Sequence, residues 1–301
     1  MRAVHGAVLA AGVMLSISSS FAASQTPGTM RTATEPQAQA FTPPPRDAMP
    51  AGKLGAEIKL GEQIFRHTTI YAHGTIGNAQ NCSNCHLDAG RLAGSSPMWA
   101  AYGAYPAYRS KNGKVNNFGM RLQGCFRYSE NGKVPALDSK LIVALEAYSY
   151  WLSTGAPTGV PLIGRGYPKL PPPSKPPSYT AGEAIYKANC SLCHGADGNG
   201  QYVRGQTVFP PLWGPNSFNW GAGMASVKNA AEFIHANMPL GNPSVLSVQH
   251  AWDVATYIDS QERPQDPRFA GSVAQTRKQF HDNEFSFYGK IVNGHLLGSP
   301  P

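Results

Sequence analysis

The sequence predicts an all-α fold in which two domains repeat one plan along 301 residues. Three observations support that prediction. A Cys-x-x-Cys-His motif occurs at residues 82–86 and again at 190–194. A Gly-Glu-x-Ile-aromatic segment precedes each motif, at 61–65 and at 182–186. Nowhere does the sequence show the sustained alternation of apolar and polar residues that is typical of strands.

Helical segments frame both motifs. Thr180 and Glu183 form a capping-box pattern, which predicts the start of a helix ahead of the second motif. Residues 138–153 and 247–260 carry aromatic side chains within probable helices, and each segment closes one domain. A shorter helix is predicted over 228–237.

Composition sets the domain boundaries. Residues 24–50 are rich in Pro, Thr and Gln, which predicts a flexible lead-in or a strap on the surface, and the Pro-rich stretch at 169–178 predicts a stiff, extended spacer. The predicted organisation is a signal peptide at 1–23, a lead-in at 24–50, a first domain at 51–165, a Pro-rich linker at 166–177, a second domain at 178–265 and a C-terminal extension at 266–301.

The N-terminus has the features of a secretory signal. Arg2 and His5 form a weakly basic start, residues 7–17 are apolar, and small residues follow around 20–23. The apolar run is far shorter than the roughly 20 residues that a membrane-spanning helix needs, and no later segment is long and apolar enough. We therefore expect an exported, periplasmic protein without a membrane span.

The net charge of +8 and the pI of about 9.3 narrow the classes of partner. An exported protein without blocks of clustered Lys and Arg is not expected to bind nucleic acid. Excess positive charge favours an anionic ligand or partner instead.

The two Cys-x-x-Cys-His motifs predict two covalently bound haem c groups. Both cysteines of a motif can add to the vinyl groups of one haem, and the adjacent His then binds the iron. Zinc would need a further pair of ligands at each site, and a thioredoxin-like redox pair does not need the His. The predicted haem-binding residues are Cys82, Cys85 and His86 in the first domain and Cys190, Cys193 and His194 in the second.

Each domain, with its first helix, motif, looped segment and closing aromatic helix, resembles a class I cytochrome c. That resemblance implies a Met ligand on the open side of the iron. Met238 follows His194 by 44 residues (238 − 194) and comes directly after a predicted helix, so it is the expected ligand of the second haem. The weaker candidates there are Met224, Lys228, His235 and His250.

The fifth cysteine, Cys125, lies outside both motifs and follows His86 by 39 residues (125 − 86). A free thiol in an oxidising compartment can form an intermolecular disulfide, stay buried and inert, or bind iron. The spacing favours iron, because it is close to that of the distal ligand in the second domain. A thiolate stabilises Fe(III), so the first haem is expected to have the lower potential. Other candidate ligands of this haem are His67, His73, Met98 and Met120.

The segment MRLQGCFRYSENG at 120–132 resembles the Gly-Cys-Phe-x-Arg-Ser-x-Asn-Gly segment of thiosulfate dehydrogenases. These are periplasmic dihaem cytochromes c that couple two thiosulfate ions into tetrathionate. The stretch RPQDPRF at 263–269 is also similar to that family, and the resemblance extends over roughly residues 51–290. Two positions depart from the pattern. Tyr128 stands where Arg is expected, and Asn237 stands where some members have a Lys that can bind the second iron.

The resemblance implies that Cys125 is both a haem ligand and the reaction centre. Its sulfur would leave the iron and bind one thiosulfate covalently, and a second thiosulfate would then release tetrathionate. Arg121 lies four residues before Cys125 and is suited to binding an oxyanion. Arg109 and Ser129 are further expected site residues, whereas Lys111 fits an anion contact and a surface charge equally well. Electrons would pass from the first haem to the second and on to a periplasmic acceptor such as another cytochrome.

Two other functions fit part of the pattern. A dihaem electron carrier without a substrate of its own would explain the haem motifs and the signal, but not Cys125 beside Arg121. An electron-accepting subunit of a multi-subunit sulfur-oxidising complex is the less favoured alternative. The direction of the reaction stays open, because tetrathionate reduction would use the same site.

Overall fold

A computed structural model of the chain describes residues 37–299, and this range is mostly helical. The predicted signal peptide and the first part of the lead-in lie outside the described residues. The helices are α1 (Gly52–Arg66), α2 (Thr68–Tyr71), α3 (Leu87–Gly90), α4 (Met98–Ala101), α5 (Phe118–Gly124), α6 (Lys140–Leu152), α7 (Tyr179–Asn189), α8 (Ser191–His194), α9 (Val227–Asn237), α10 (Val248–Asp259) and α11 (Val273–Thr276). Two π-helical turns follow α5 and α11, at Cys125–Ser129 and Arg277–His281.

Three small antiparallel hairpins accompany the helices. They pair β1 (Ala107–Arg109) with β2 (Lys114–Asn116), β3 (Gln201–Val203) with β4 (Gln206–Phe209), and β5 (Ile291–Val292) with β6 (His295–Leu296). The sequence did not predict them, because strands of two to four residues are too short to show an alternating pattern. The helical character of the fold is confirmed.

The predicted helices have their counterparts in α6, α9 and α10. The predicted start of α7 at the Thr180 capping box is wrong. The Ser178 hydroxyl accepts a hydrogen bond from the Ala181 amide at 3.2 Å, so the helix begins at Tyr179 and Thr180 lies within its first turn. Ser178 caps the helix because it is the first side chain able to do so after the prolines of the linker.

The repeated Gly-Glu segments mark the same helix crossing in both halves. A Cβ atom on Gly61 of α1 would lie 2.0 Å from the Ala144 carbonyl oxygen of α6. A Cβ atom on Gly182 of α7 would lie 2.1 Å from the Asp253 carbonyl oxygen of α10. Only glycine permits the two backbones to come this close. The repeated glycine therefore marks the position at which the first and last helices of each half cross.

The C-terminal extension packs against both halves. Tyr128 from the first half, Trp220 from the second, and Tyr288 and Leu297 from the extension share one buried cluster. Each half also has a larger core of its own, centred on Phe65 and Tyr148 in the first and on Tyr186 and Trp252 in the second.

The segments predicted as lead-in and linker contact the folded halves where the structure describes them. Phe41 packs against Trp99 with ring centres 5.6 Å apart. In the linker the Pro171 carbonyl accepts a hydrogen bond from the Trp252 indole N–H at 2.9 Å, and the Gly166 carbonyl accepts one from the Ser96 amide at 2.9 Å. Within 37–299, every helix is too short or too polar to cross a bilayer.

Candidate active site

A cavity of about 520 Å³, lined mainly by the first half and closed by residues 166–169 and 218–232, brings together residues that the sequence places far apart. Cys82, Cys85 and His86 of the first motif line it, and so does Cys125 from the π-helical turn. The cavity is therefore where a haem held by the first motif and the sulfur of Cys125 would meet.

The two motif histidines are prepared in the same way to bind iron. His86 Nδ1 lies 2.7 Å from the Ser96 carbonyl oxygen, and His194 Nδ1 lies 2.9 Å from that of Pro210. A carbonyl only accepts, so Nδ1 carries the proton and Nε2 keeps its lone pair for a metal. Burial lowers the pKa of His86 to about 4 and also lowers the pKa of His194, which keeps both rings neutral. This donor chemistry fits haem c in both halves.

The thiols of the first motif lie in a water-poor environment. Burial, together with the nearby Glu130 and Cys125, raises the pKa of Cys85 to about 12. Burial raises the pKa of Glu130 to about 8, and its Oε2 atom has no hydrogen-bond partner among the described residues. Neutral, buried sulfur suits conversion to thioethers. No local pattern singles out Glu130 as a site residue, although it lies within the segment that carries the family resemblance.

Cys125 sits on a turn that the second half fixes in place. Asn117 caps α5 by accepting from the Met120 amide at 2.8 Å, and the helix then widens into the π-helical turn, a feature frequent at functional sites. The buried Asn219 donates from its amide to the Tyr128 carbonyl at 3.2 Å and from its side chain to the Arg127 carbonyl at 2.9 Å. Asn219, which the sequence analysis also missed, satisfies carbonyls that the wider turn leaves open.

Arg121 and Cys125 are in direct contact. The Arg121 Nη1 atom lies 2.9 Å from the Cys125 Sγ atom, because residues four apart lie on the same face of a helix. The electrostatic interaction with the Cys125 sulfur raises the pKa of Arg121 above its ordinary value. A permanent cation beside the sulfur in turn stabilises negative charge there.

Two of the other predicted anion contacts also line the cavity. Arg109 is an exposed residue at the end of β1, and Ser129 ends the π-helical turn. Lys111, which the sequence left undecided, lines the cavity too, and its Nζ donates to the Gly221 carbonyl at 2.5 Å. Burial lowers the pKa of Lys111 to about 8, and Arg268 and Arg121 act in the same direction.

Tyr128, the position that departs from the family pattern, lies between two cations. Lys111 Nζ is 4.7 Å from the centre of its ring and Arg268 Cζ is 5.2 Å from it. Arg268 is held by Asp266 at 2.6 Å, and Asp266 also accepts from His281 Nε2 at 2.8 Å. The C-terminal extension thus reaches the turn that carries Cys125, which no local sequence pattern could predict.

The candidate distal ligands separate by location. Met98 and Met120 line the cavity of the first motif, whereas His67 and His73 are exposed. Met224 also lines that cavity and, like Met238, packs against the second core.

In the second half, Met238 directly follows the last residue of α9 and packs against the second core. Among the other candidates there, His235 is half-buried near the end of α9, Lys228 lies over the Phe285 ring, and His250 is exposed. Asn237 is buried and donates to the Gly94 carbonyl of the first half at 3.2 Å.

Comparisons with known proteins match both halves. The family described as "SoxA/TsdA, cytochrome c domain" matches residues 68–158, and "Cytochrome C oxidase, cbb3-type, subunit III" matches 177–258. A thiosulfate dehydrogenase of Thiomonas intermedia is 62% identical over 86% of this chain and 82% of its own length. One of Stutzerimonas stutzeri is 53% identical over 86% of this chain and 85% of its own.

A solved structure, thiosulfate dehydrogenase (TsdBA) from Marichromatium purpuratum in its as-isolated form, is also similar. It superposes with a TM-score of 0.83 at 52% identity and over 86% of this chain. This chain spans 57% of the length of that one.

Proposed function

Because this chain belongs to the thiosulfate dehydrogenase family, we propose that it oxidises two thiosulfate ions to tetrathionate, with Cys125 as the reaction centre. The observation that carries the proposal is the 2.9 Å contact between Arg121 and Cys125 inside a cavity that the first haem motif also lines. A reactive sulfur, a fixed cation and a haem-binding motif are then within one site.

Two covalent haem c groups belong to the chain, one held by Cys82, Cys85 and His86 and the other by Cys190, Cys193 and His194. When bound, two haems would supply one-electron redox chemistry at each motif, enough together for the two electrons of the proposed reaction.

The proposed steps at Cys125 balance in atoms and in charge. A Cys125 thiolate and one thiosulfate form an S–S bond and release two electrons, which leaves a cysteine S-thiosulfonate. The sulfane sulfur of a second thiosulfate then attacks the sulfur bonded to Cys125, and tetrathionate leaves as the Cys125 thiolate returns. The thiolate is regenerated, so the net change is two thiosulfate ions converted to one tetrathionate and two electrons.

The cations around the sulfur counter the main barrier to this chemistry. Both steps bring a dianion against an anionic or electron-rich sulfur, and that repulsion must be offset by fixed positive charge. Arg121 supplies it at the sulfur, and Lys111, Arg109 and Ser129 line the same cavity. Arg121 is half-buried, so water weakens its contact with the sulfur less than it would weaken a contact on the open surface.

Electrons are proposed to leave through the second half. A neutral thioether from Met238 favours Fe(II), so the second haem would have the higher potential and pass electrons to a periplasmic acceptor such as another cytochrome. Spectroelectrochemical titration of Met238→Gly tests this proposal: the higher of the two potentials should fall while the other stays. Met224→Leu is the control, because Met224 is the other methionine of the second domain and lines the cavity of the first motif. Unchanged potentials in Met238→Gly would exclude Met238 as the ligand.

The decisive experiment is turnover by the purified holoprotein. Thiosulfate with an acceptor dye should yield tetrathionate, and tetrathionate with a reduced dye should report the reverse reaction. Haems that exchange electrons with dyes but never with thiosulfate or tetrathionate would make the chain an electron carrier, the rival function.

A further inference from the structure

The region between the first haem motif and Cys125 has an unusual charge content. Residues 87–124 include five Arg or Lys residues and a single acidic residue, Asp88, two residues after the motif. Three of these cations, Arg109, Lys111 and Lys114, lie within ten residues of one another on the β1–β2 hairpin, at 107–116. A surface kept only for solubility usually mixes both signs of charge.

The hairpin places two of these cations against each other. Arg109 of β1 lies directly opposite Lys114 of β2 in the antiparallel register. Side chains of an opposed pair project from the same face with Cβ atoms about 5 Å apart, and like charges in that position destabilise a hairpin. Folding stability therefore does not explain this pair.

The salt bridges of the described residues leave the cations of this hairpin without a carboxylate partner. Within residues 37–299, neither Arg109, Lys111 nor Lys114 forms an ion pair with any Asp or Glu. The positive charge of the hairpin is thus available to a ligand from outside the chain.

The hairpin directs this charge toward the cavity. Arg109 and Asn116 both line the cavity, and the register puts Lys114 on the same face as these two residues. On the opposite face, Tyr108 and Val115 form a second cross-strand pair and are 67% and 64% exposed. One face of the hairpin therefore turns to the cavity and the other to solvent.

We propose that the β1–β2 hairpin is a cationic capture arm, which draws anionic substrate to the cavity mouth before any bond forms. Arg109 and Lys114 raise the encounter rate, and Lys111, in the turn of the hairpin and in the cavity lining, receives the anion and passes it to Arg121. This role rests on the proposed oxidation of thiosulfate and adds a step that precedes the chemistry. A dianion is drawn twice as strongly as a monoanion, so the arm favours dianionic oxyanions of sulfur.

The test is the rate at which thiosulfate reduces the oxidised holoprotein, followed in a stopped-flow spectrophotometer over a range of sodium chloride concentrations. Lys114→Gln should lower the second-order rate constant by about three-fold at low ionic strength, and Lys114→Glu by about ten-fold. Both deficits should vanish near ~0.5 M salt, where the screening length is only a few ångströms. The rate at saturating thiosulfate should equal that of the wild type, because Lys114 does not line the cavity.

The matched control is Lys53→Gln, which removes one charge from an exposed lysine at the start of α1, outside the cavity lining. If Lys114→Gln and Lys53→Gln share the wild-type rate and salt dependence while thiosulfate still reduces the haems, the capture arm is wrong and the proposed function stands. If Lys114→Gln slows only re-oxidation by an acceptor protein, the hairpin is a docking site and the capture arm is again wrong. A wild-type protein that thiosulfate never reduces would overturn both proposals.

Discussion

The two halves of this chain share the means of holding haem and differ in what surrounds it. In both halves a glycine lets the first and last helices meet, and a buried tyrosine hydroxyl donates at 2.7 Å to a backbone carbonyl just after the motif, Tyr148 to Ala89 and Tyr186 to Gly195. In both halves a carbonyl orients the proximal histidine. The shared part is therefore the frame for attachment.

The differences concentrate in the first half. The repeated glycine precedes the first motif cysteine by 21 residues there (82 − 61), against 8 in the second half (190 − 182). The longer segment holds α2 and docks on the second half, where Gln80 Nε2 donates to the Pro211 carbonyl at 2.6 Å. Beyond the motif, the first half has the charged hairpin and then Cys125 in contact with Arg121. At a similar distance after its own motif histidine, the second half has Met238. Under the proposed function, one frame would support a substrate site in one copy and an electron exit in the other.

The largest effect on the difference between the two halves should come from removing the Cys125 sulfur. Cys125→Ser should lower thiosulfate oxidation by at least about 10³-fold, because serine has no soft, oxidisable sulfur to form the S–S bond. Mass spectrometry should still find two haems, since the four motif cysteines are unchanged. Activity near that of the wild type would remove the catalytic distinction between the halves.

The second test removes the cation beside that sulfur. Arg121→Gln should lower kcat/KM for thiosulfate by about 10- to 150-fold, the value of one lost charge-assisted contact of about 1.5–3 kcal/mol. Arg204→Gln is the matched control, because Arg204 is an exposed arginine between β3 and β4, outside the cavity lining. Equal kinetics in the two variants would mean that Arg121 acts only as a general surface charge.

The third test addresses the shared frame. Gly61→Ala and Gly182→Ala should each lower the free energy of unfolding by about 1–3 kcal/mol, because a new Cβ would collide with a backbone carbonyl across the helix crossing. Gly103→Ala is the control, since its Cβ would meet only Thr158 at 3.8 Å. Thermal unfolding of the holoproteins gives the comparison. A loss confined to one of the two crossings would show that the halves do not share the frame.

Local patterns in the sequence were sufficient to find the frame and insufficient to find what positions the site. The haem motifs, the repeated glycines and α6, α9 and α10 are each encoded within a few residues. The supports of the Cys125 turn come from far along the chain: Asn219 from the second half and Arg268 from the C-terminal extension. Such contacts have no local signature, so a single sequence predicts Cys125 as a candidate reaction centre but not the residues that hold its turn.

Lys111 provides the finest test, because the sequence could not tell whether it serves the site. Burial lowers its pKa to about 8, so its ammonium is charged below that pH and neutral above it. If this charge helps to bind thiosulfate, kcat/KM should be steady below about pH 8 and fall by about five- to ten-fold toward pH 9.5. In Lys111→Arg this alkaline fall should disappear, because a guanidinium keeps its charge, whereas Lys111→Gln should be low and flat across the range. If Lys111→Gln has the same pH profile as the wild type, in both height and shape, Lys111 is only a surface charge. The positive charge of the substrate site would then come from Arg121 and Arg109.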